Sequence, residues 1–185
     1  MKDQQSTRSY LRAATQAWHD RVDHAFSRFS LMDADSYRLF LQAQAHAFLP
    51  LEAAIGRTQP GDALPDWDQR QRSDLLIADL AALDAAPGPV SDAPLLDGEP
   101  ELLGTAYVLE GSRLGGTMLA RSVPAHLPRQ FLDANDSALW RSLIRRLDTR
   151  LTTDDERSVA ASAAQRAFRA FEQGANHFSE LQCRG

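Results

Sequence analysis

The first residues of this chain that could do chemistry together lie on one face of a predicted helix. Adding 100° per residue places three polar side chains close to the angular position of His19, namely Arg12, Thr15 and Asp23. A helix rises about 1.5 Å per residue, so Arg12 lies roughly 10 Å along the axis from His19. The face therefore combines an imidazole, a carboxylate one turn further on and a guanidinium two turns back.

These side chains have two interpretations. In the first, His19 is a half-buried surface histidine and Asp23 is its neighbour on the next turn, a contact that contributes about 0.2–0.5 kcal/mol to helix stability. In the second, the imidazole binds a haem iron and Arg12 meets the propionates at the edge of the macrocycle. Asp23 then accepts a hydrogen bond from the other imidazole nitrogen. The spacing alone leaves both interpretations open.

A second stretch, residues 104–121, has the sequence pattern of a helix. Three glycines, Gly111, Gly115 and Gly116, lower the helix propensity of its middle. Each interior glycine costs roughly 0.5–1 kcal/mol relative to alanine. On a helix the three glycines clear side chains from one face, so a partner can approach the backbone closely. That partner is either another helix or a flat ligand over which this helix bends.

The chain as a whole predicts an all-α fold, because β-branched residues are few and nowhere alternate over a useful length. Apolar periodicity and capping signals predict helices at about 6–29, 35–56, 67–83, from Pro100 to before Pro124, 137–151 and from 153 onward. Asp35 or Ser36 is the expected cap of the second helix, and Thr153 with Glu156 forms a capping box. Residues 57–66 and 85–99 are predicted loops.

Length and composition limit the possible classes of protein. The 185 residues, 43% of them hydrophobic, predict a single domain spanning 1–185. A net charge of -5 and a pI near 5.5 argue against nucleic-acid binding. No membrane span is predicted. The single cysteine, Cys183, excludes an internal disulfide and a cysteine-based metal cluster, so a cytoplasmic setting is expected.

Two motifs together resemble the haem oxygenases, particularly the bacterial ones associated with bacteriophytochromes. The family's opening pattern, Leu-basic-x-Ala-Thr-x-x-x-His followed by an acid four residues later, is met at every one of those positions from Leu11 to Asp23. The family's Gly-x-x-x-Gly-Gly is met from Gly111 to Gly116 within the stretch that begins at Tyr107. The resemblance implies an all-α fold with haem sandwiched between a proximal and a distal helix.

Carried over residue by residue, the resemblance makes His19 the axial iron ligand and Arg12 a propionate ligand. Thr15, Asp23 and Tyr107 join them as expected haem-binding residues, with Arg141 and Arg145 as further candidates for the propionates. The distal catalytic surface is expected to consist of Gly111, Ser112, Gly115 and Gly116. Many family members carry aspartate where this chain has Ser112, so water held by Ser112 and by distal carbonyls is the expected proton route. Glu110 and Arg113 are weaker candidates for that route.

The activity implied by the resemblance is the opening of haem b to biliverdin, CO and ferrous iron, using O2 and electrons from a ferredoxin or reductase. A bacteriophytochrome is the implied recipient of the bilin. Three alternatives stand beside this one. The fold could serve as a haem carrier or sensor without catalysis, or as a purely structural helical protein. Resembling folds also occur in thiamin-degrading enzymes, but these need a nucleophilic cysteine in the core, and Cys183 is badly placed for it.

Overall fold

The computed structural model describes residues 6–182, and within that range every regular element is helical. The elements are α1 (Thr7–Phe26), α2 (Ala34–Arg57), a 3-10 turn (Gly61–Ala63), α3 (Trp67–Arg70), α4 (Ser73–Ala81), α5 (Glu99–Ala120), α6 (Gln130–Asp133), α7 (Ser137–Arg150) and α8 (Asp154–Gln182). The predicted all-α class is confirmed. Across the described range, no helix is both long enough and apolar enough to cross a membrane. Cys183 lies outside the described residues.

The central element is α8, which packs against α1, α2 and α5. Its buried face repeats every three or four residues and is built mainly from alanine and phenylalanine: Ala160, Ala164, Ala167, Phe171, Ala175 and Phe178. Small residues let the helices approach closely. A Cβ added to Gly174 would lie 2.6 Å from the Ala43 oxygen, and one added to Gly104 would lie 2.1 Å from the Ala160 oxygen. These contacts hold α1, α2 and α5 around one core.

Most predicted helix ends agree with the structure, and one predicted cap was wrong. The side chain of Asp33 caps α2, because its Oδ1 accepts from the Ser36 N–H at 2.8 Å. Ser36 instead uses its hydroxyl to accept from the Ser30 N–H at 2.8 Å. The capping box is confirmed at the start of α8. Thr153 Oγ1 accepts from the Glu156 N–H, and Glu156 Oε2 accepts from the Thr153 N–H.

The predicted helix over residues 67–83 is in fact two helices, α3 and α4, which was not expected. The backbone N–H groups of Arg72 and Ser73 donate to the carboxylate of Glu52, at 2.7 and 2.9 Å, instead of continuing α3. Glu52 is buried on α2, so a distant carboxylate supplies the N-terminal cap of α4. The buried Asp79 caps the unpredicted α6 in the same way, accepting from the Gln130 and Phe131 N–H groups.

Candidate functional site

A cavity of about 390 Å³ lies between α1 and α5, and α2, α6, α7 and α8 complete its walls. This volume falls within the usual range of small-molecule sites. Much of the lining is apolar, and the aromatic members are Phe26, Phe40, Tyr107, Phe131, Trp140, Phe168 and Phe171. Nearly all predicted site residues also line it: Arg12, Thr15, His19, Asp23, Tyr107, Gly111, Ser112, Gly115 and Gly116. The two sequence motifs therefore meet across one cavity.

On the α1 wall, His19 carries its carboxylate partner on the next turn, as predicted. Asp23 Oδ2 lies 3.2 Å from His19 Nδ1, so the carboxylate faces Nδ1 and Nε2 is the ring nitrogen left to bind a metal. The edge of the Phe168 ring packs near the imidazole, with the ring centroids 6.0 Å apart. Among the described residues, no three His, Cys, Asp or Glu side chains could hold a metal ion together. A single imidazole is what a haem iron needs on one side, so the donor set fits haem.

On the α5 wall, the glycines leave backbone open to the cavity. A Cβ built on Gly111 or on Gly115 would meet no heavy atom within 4 Å. A Cβ on Gly116 would lie 3.2 Å from the Leu132 oxygen, so Gly116 packs against α6 as well as lining the cavity. α5 is hydrogen-bonded as α-helix through all three glycines. The interpretation in which the bare face packs on another helix therefore fits Gly116 and does not fit the other two.

The opposite face of α5 is held by buried charges. Arg113 pairs with Glu110 at 3.2 Å and also donates to the carbonyl oxygens of Arg70 and Ala134, both at 2.8 Å. Arg70 in turn lies 3.3 Å from Glu110 and forms two hydrogen bonds with Asp66. These contacts tie α5 to the end of α3 and offset part of the cost of its glycines.

The buried network concerns the expected proton-delivery roles of Glu110 and Arg113, and it also changes the pKa of Asp66. Glu110 and Arg113 are buried away from the cavity and do not line it, so their placement gives no support to a role in proton delivery. Burial raises the pKa of Asp66, but the hydrogen bonds and positive charge of Arg70 outweigh that effect and leave the pKa below its usual value. Asp66 is therefore ionised at neutral pH.

Polar groups gather at one end of the cavity, where α1 faces Tyr107. Burial raises the pKa of Tyr107, and a hydrogen bond with Thr15 and the charges of Arg8 and Arg12 partly oppose this. The Tyr107 ring packs on Trp140 with centroids 5.7 Å apart, and the Arg8 guanidinium lies 5.9 Å from the Trp140 ring centre. Arg8 and Arg12 are exposed, and no carboxylate of residues 6–182 forms an ion pair with either. This rim can accept an anionic group.

The two later arginines are not brought to the cavity. Arg141 and Arg145 are exposed and absent from its lining, and Arg141 donates to Ser137 Oγ at 2.9 Å. Trp140 faces the cavity, and a residue one position later on a helix points about 100° away. The prediction that these two arginines bind propionates therefore has no support from their placement.

Sequence reasoning missed several side chains at the site. Arg8 precedes the motif, and Phe131 lies in a segment for which no helix was predicted. Phe168 and Phe171 lie on the apolar face of the last helix, where the sequence does not distinguish a cavity wall from a core. Arg72 lies in the middle of a predicted helix with nothing to distinguish it. In the structure its guanidinium Nη2 donates to Ser112 Oγ at 3.0 Å and to the Leu109 oxygen at 2.7 Å. Ser112 Oγ itself donates to the Leu109 oxygen at 2.7 Å.

Comparison with known proteins agrees with this geometry. Residues 5–176 match the family model described as "Heme oxygenase". A "Heme oxygenase" of Xanthomonas campestris pv. campestris is 30% identical over 147 residues, covering 76% of this chain and 88% of that protein. "Heme oxygenase PigA" of Pseudomonas aeruginosa is 29% identical over 191 residues, covering 90% and 92%. The chain belongs to the haem oxygenase family.

Solved structures confirm the fold. The NO- and CO-bound haem oxygenase from Neisseria meningitidis matches with a TM-score of 0.82 at 22% identity, covering 95% of this chain and 93% of that one. The haem oxygenase from Leptospira interrogans matches with a TM-score of 0.70 at 17% identity, covering 95% and 99%. The family binds haem and uses reducing electrons, so family and fold together support haem degradation. The narrower resemblance to bacteriophytochrome-associated enzymes stays a prediction.

Proposed function

We propose that this chain is an enzyme that opens haem b oxidatively to biliverdin, CO and ferrous iron. The reaction takes O2 and electrons from a ferredoxin or reductase. One observation carries the proposal: the bare backbone of α5 at Gly111 and Gly115 lines the same largely apolar cavity as His19. Haem, when bound, supplies both the iron that activates O2 and the ring that is oxidised.

The side chains present suit each part of that substrate. Nε2 of His19 is the group that would bind the iron, because the carboxylate of Asp23 lies beside the other ring nitrogen, Nδ1. The aromatic walls would cover the apolar macrocycle and exclude water from it. Arg12 and Arg8 at the rim would meet the carboxylates at its edge, a charge-assisted contact of about 1.5–3 kcal/mol.

On the other wall, residues of α5 would limit what reaches the reacting face. Without side chains at Gly111 and Gly115, the helix backbone itself forms the boundary there. Ser112 is the polar side chain of this stretch that lines the cavity, and with the nearby carbonyls it would hold a water that delivers protons. Tyr107 and Thr15 would close the end of the cavity beside the arginines.

Biliverdin would pass from this cavity to a second protein. A bacteriophytochrome is the proposed recipient of biliverdin, because the two motifs resemble those of the phytochrome-associated enzymes, which tend to carry serine at the position of Ser112. The net charge of -5 does not favour nucleic acid as a partner. We place the reaction in the cytoplasm, where reduced ferredoxin or a flavin reductase is available.

A haem carrier or sensor is the second candidate, and Ser112 is the observation that favours it. A serine hydroxyl orders water less strongly than the carboxylate that many relatives carry at this position, which favours haem binding without turnover. The two functions separate in one assay. Bilin formation from the haem complex with reductant and O2 identifies the enzyme, and an unchanged haem spectrum under those conditions identifies the carrier.

His19→Ala is the first test of the site. The variant should keep its fold, because alanine suits a helix and the His19 side chain is 56% exposed. Its haem complex should lose the histidine-ligated Soret spectrum, and turnover should fall by at least about a hundredfold unless imidazole is added. His24→Ala is the matched control, since His24 is exposed on the same helix and does not line the cavity. An unchanged ferric spectrum in His19→Ala would rule out the assignment.

Arg12→Ala tests the rim. It should weaken haem binding about tenfold or more, because a charge-assisted contact to a propionate is lost, and it should alter the ratio of biliverdin isomers if the macrocycle rotates. Arg141→Ala is the matched control, because Arg141 is an exposed arginine that does not line the cavity. Equal haem affinities of Arg12→Ala and Arg141→Ala would mean that Arg12 does not supply the propionate contact.

A further inference from the structure

A buried guanidinium lies behind the cavity wall that Ser112 forms. The Arg72 residue is 2% exposed, and its guanidinium carbon sits 4.7 and 4.9 Å from the ring centres of Phe48 and Phe131. No carboxylate within residues 6–182 is in ion-pair distance of that guanidinium. The carboxylate of Glu52 accepts from the Arg72 backbone N–H instead. The side chain is thus a buried cation without a direct counter-ion.

Burying the Arg72 guanidinium in this way lowers the stability of the fold. A buried charge is expensive unless it is paired and fully hydrogen-bonded, and Arg72 Nε has no hydrogen-bond partner. Burial and the like charge of Arg113 lower the pKa of Arg72 to about 9, against the opposing effect of Glu110 and Glu52. The group still carries its positive charge at neutral pH. A buried and incompletely satisfied cation beside a ligand cavity points to a role at that cavity.

The hydrogen bonds of Ser112 show what that role is. A serine hydroxyl has one donor and two acceptor sites. The donor is used on the Leu109 oxygen, and one acceptor site takes the N–H of Arg72. Because Arg72 also donates to the Leu109 oxygen, the three groups form a closed triangle that prevents the hydroxyl from turning. What Ser112 has left for the cavity is one acceptor site, with a fixed positive charge behind it.

We propose that Arg72 is a positioning residue for the reaction proposed above, holding the Ser112 hydroxyl as an acceptor toward the cavity and making the space beside the α5 glycines electrostatically favourable for anions. The inference rests on the proposed function, because it assigns Arg72 a task at the haem-binding cavity. Water bound beside Ser112 would donate one proton to Ser112 and keep its second proton for a ligand in the cavity. Arg72 itself lines no part of the cavity and touches no ligand.

The test compares an anionic and a neutral ligand on the purified ferric haem complex at pH 7. Sodium azide and imidazole are titrated against the wild type, Arg72→Met, Arg72→Lys and Ser112→Ala, and dissociation constants are read from the visible spectrum. In Arg72→Met the azide affinity should fall about tenfold, the effect expected from losing one buried charge a few ångströms away, while imidazole affinity changes less than about twofold. Arg72→Lys keeps a charge and should recover most of the azide affinity. Ser112→Ala keeps Arg72 and should stay within about threefold of wild type.

The outcomes separate this inference from the proposed function. A wild type that gives no Soret band with haem overturns both. A wild type with a normal haem spectrum, together with equal azide affinity in Arg72→Met, overturns only the role of Arg72. If azide and imidazole affinities fall in parallel with thermal stability of the haem-free protein, Arg72 is structural and the inference is wrong. Should Arg72→Met fail to fold, Arg72→Gln replaces it as an uncharged variant that keeps hydrogen-bonding groups. Wild-type stability with a selective loss of azide affinity in Arg72→Gln supports the inference, and unchanged azide affinity overturns it.

Discussion

The two halves of α5 use glycine for opposite reasons. In the first half, residues 102–109, buried apolar side chains pack against α8, and Gly104 marks the closest approach of the two helices. In the second half, residues 111–119, Gly111 and Gly115 face open space in the cavity. A glycine that lets two backbones touch and a glycine that leaves a wall bare look alike in a sequence. They differ in what a methyl group added there would meet.

The two halves also differ in what holds them. The first half is stabilised by apolar burial, with Leu102, Leu103 and Ala106 at most 4% exposed. The second half has a cavity on one side and relies on the buried ion pairs of Glu110 and Arg113 on the other. Charged groups are a costly way to hold a helix, because both partners must be desolvated. Their use here fits a segment whose other face is kept free of packing.

The largest effect on stability is expected in the second half of α5, which the buried ion pairs hold in place. Arg113→Met removes the pair with Glu110 and two hydrogen bonds to carbonyl oxygens, so the free energy of unfolding should fall by about 3–5 kcal/mol. Chemical denaturation of the haem-free protein measures it. Arg166→Met is the matched control, because Arg166 pairs α8 with Glu101 in the first turn of α5 and is 48% exposed. That exposed pair should contribute at most about 1 kcal/mol. Similar losses in the two variants would mean that the buried pairs do not support the second half.

The next largest effect on stability is expected in the first half of α5, which apolar packing holds in place. Gly104→Ala would put a methyl group 2.1 Å from the Ala160 oxygen and force α5 away from α8, with an expected loss of about 3 kcal/mol. Gly111→Ala, on the same helix, serves as the control and should lose no stability. The measurement is again denaturation of the haem-free protein. If Gly104→Ala were as stable as wild type, the helix crossing would not depend on that glycine.

The spacing of residues along one helix predicted much of the site. Contacts between segments that are distant in sequence could not be predicted from that spacing. Arg12, Thr15, His19 and Asp23 line one cavity because helical periodicity alone puts them on one face. The division of the 67–83 helix depends on Glu52, a carboxylate on another helix that no local pattern connects to Arg72. Helix propensity depends on residues close together in the sequence, so it cannot predict a cap supplied by a distant helix.

The same limit explains the two arginines that were misplaced. Arg141 and Arg145 are basic residues on the same helix as Trp140, but the rotation of α7 about its axis is set by packing with α1 and α5. That rotation turns Trp140 toward the cavity and leaves both arginines exposed. Gly115 and Gly116 illustrate the same point one residue apart. Their sequence motif treats them alike, while the structure gives only Gly116 a close backbone neighbour.

The smallest stability effect is the most informative about function. Gly115→Ala adds a methyl group where nothing lies within 4 Å, so the haem-free protein should gain about 0.5–1 kcal/mol from better helix propensity. The same methyl group would project into the cavity, so we expect haem to bind through His19 while biliverdin yield per haem falls. Gly116→Ala should gain no stability, because its methyl group meets the Leu132 oxygen at 3.2 Å. Thermal unfolding and single-turnover product yield are measured for both variants. A more stable Gly115→Ala with normal turnover would leave the open face of α5 without a part in the chemistry.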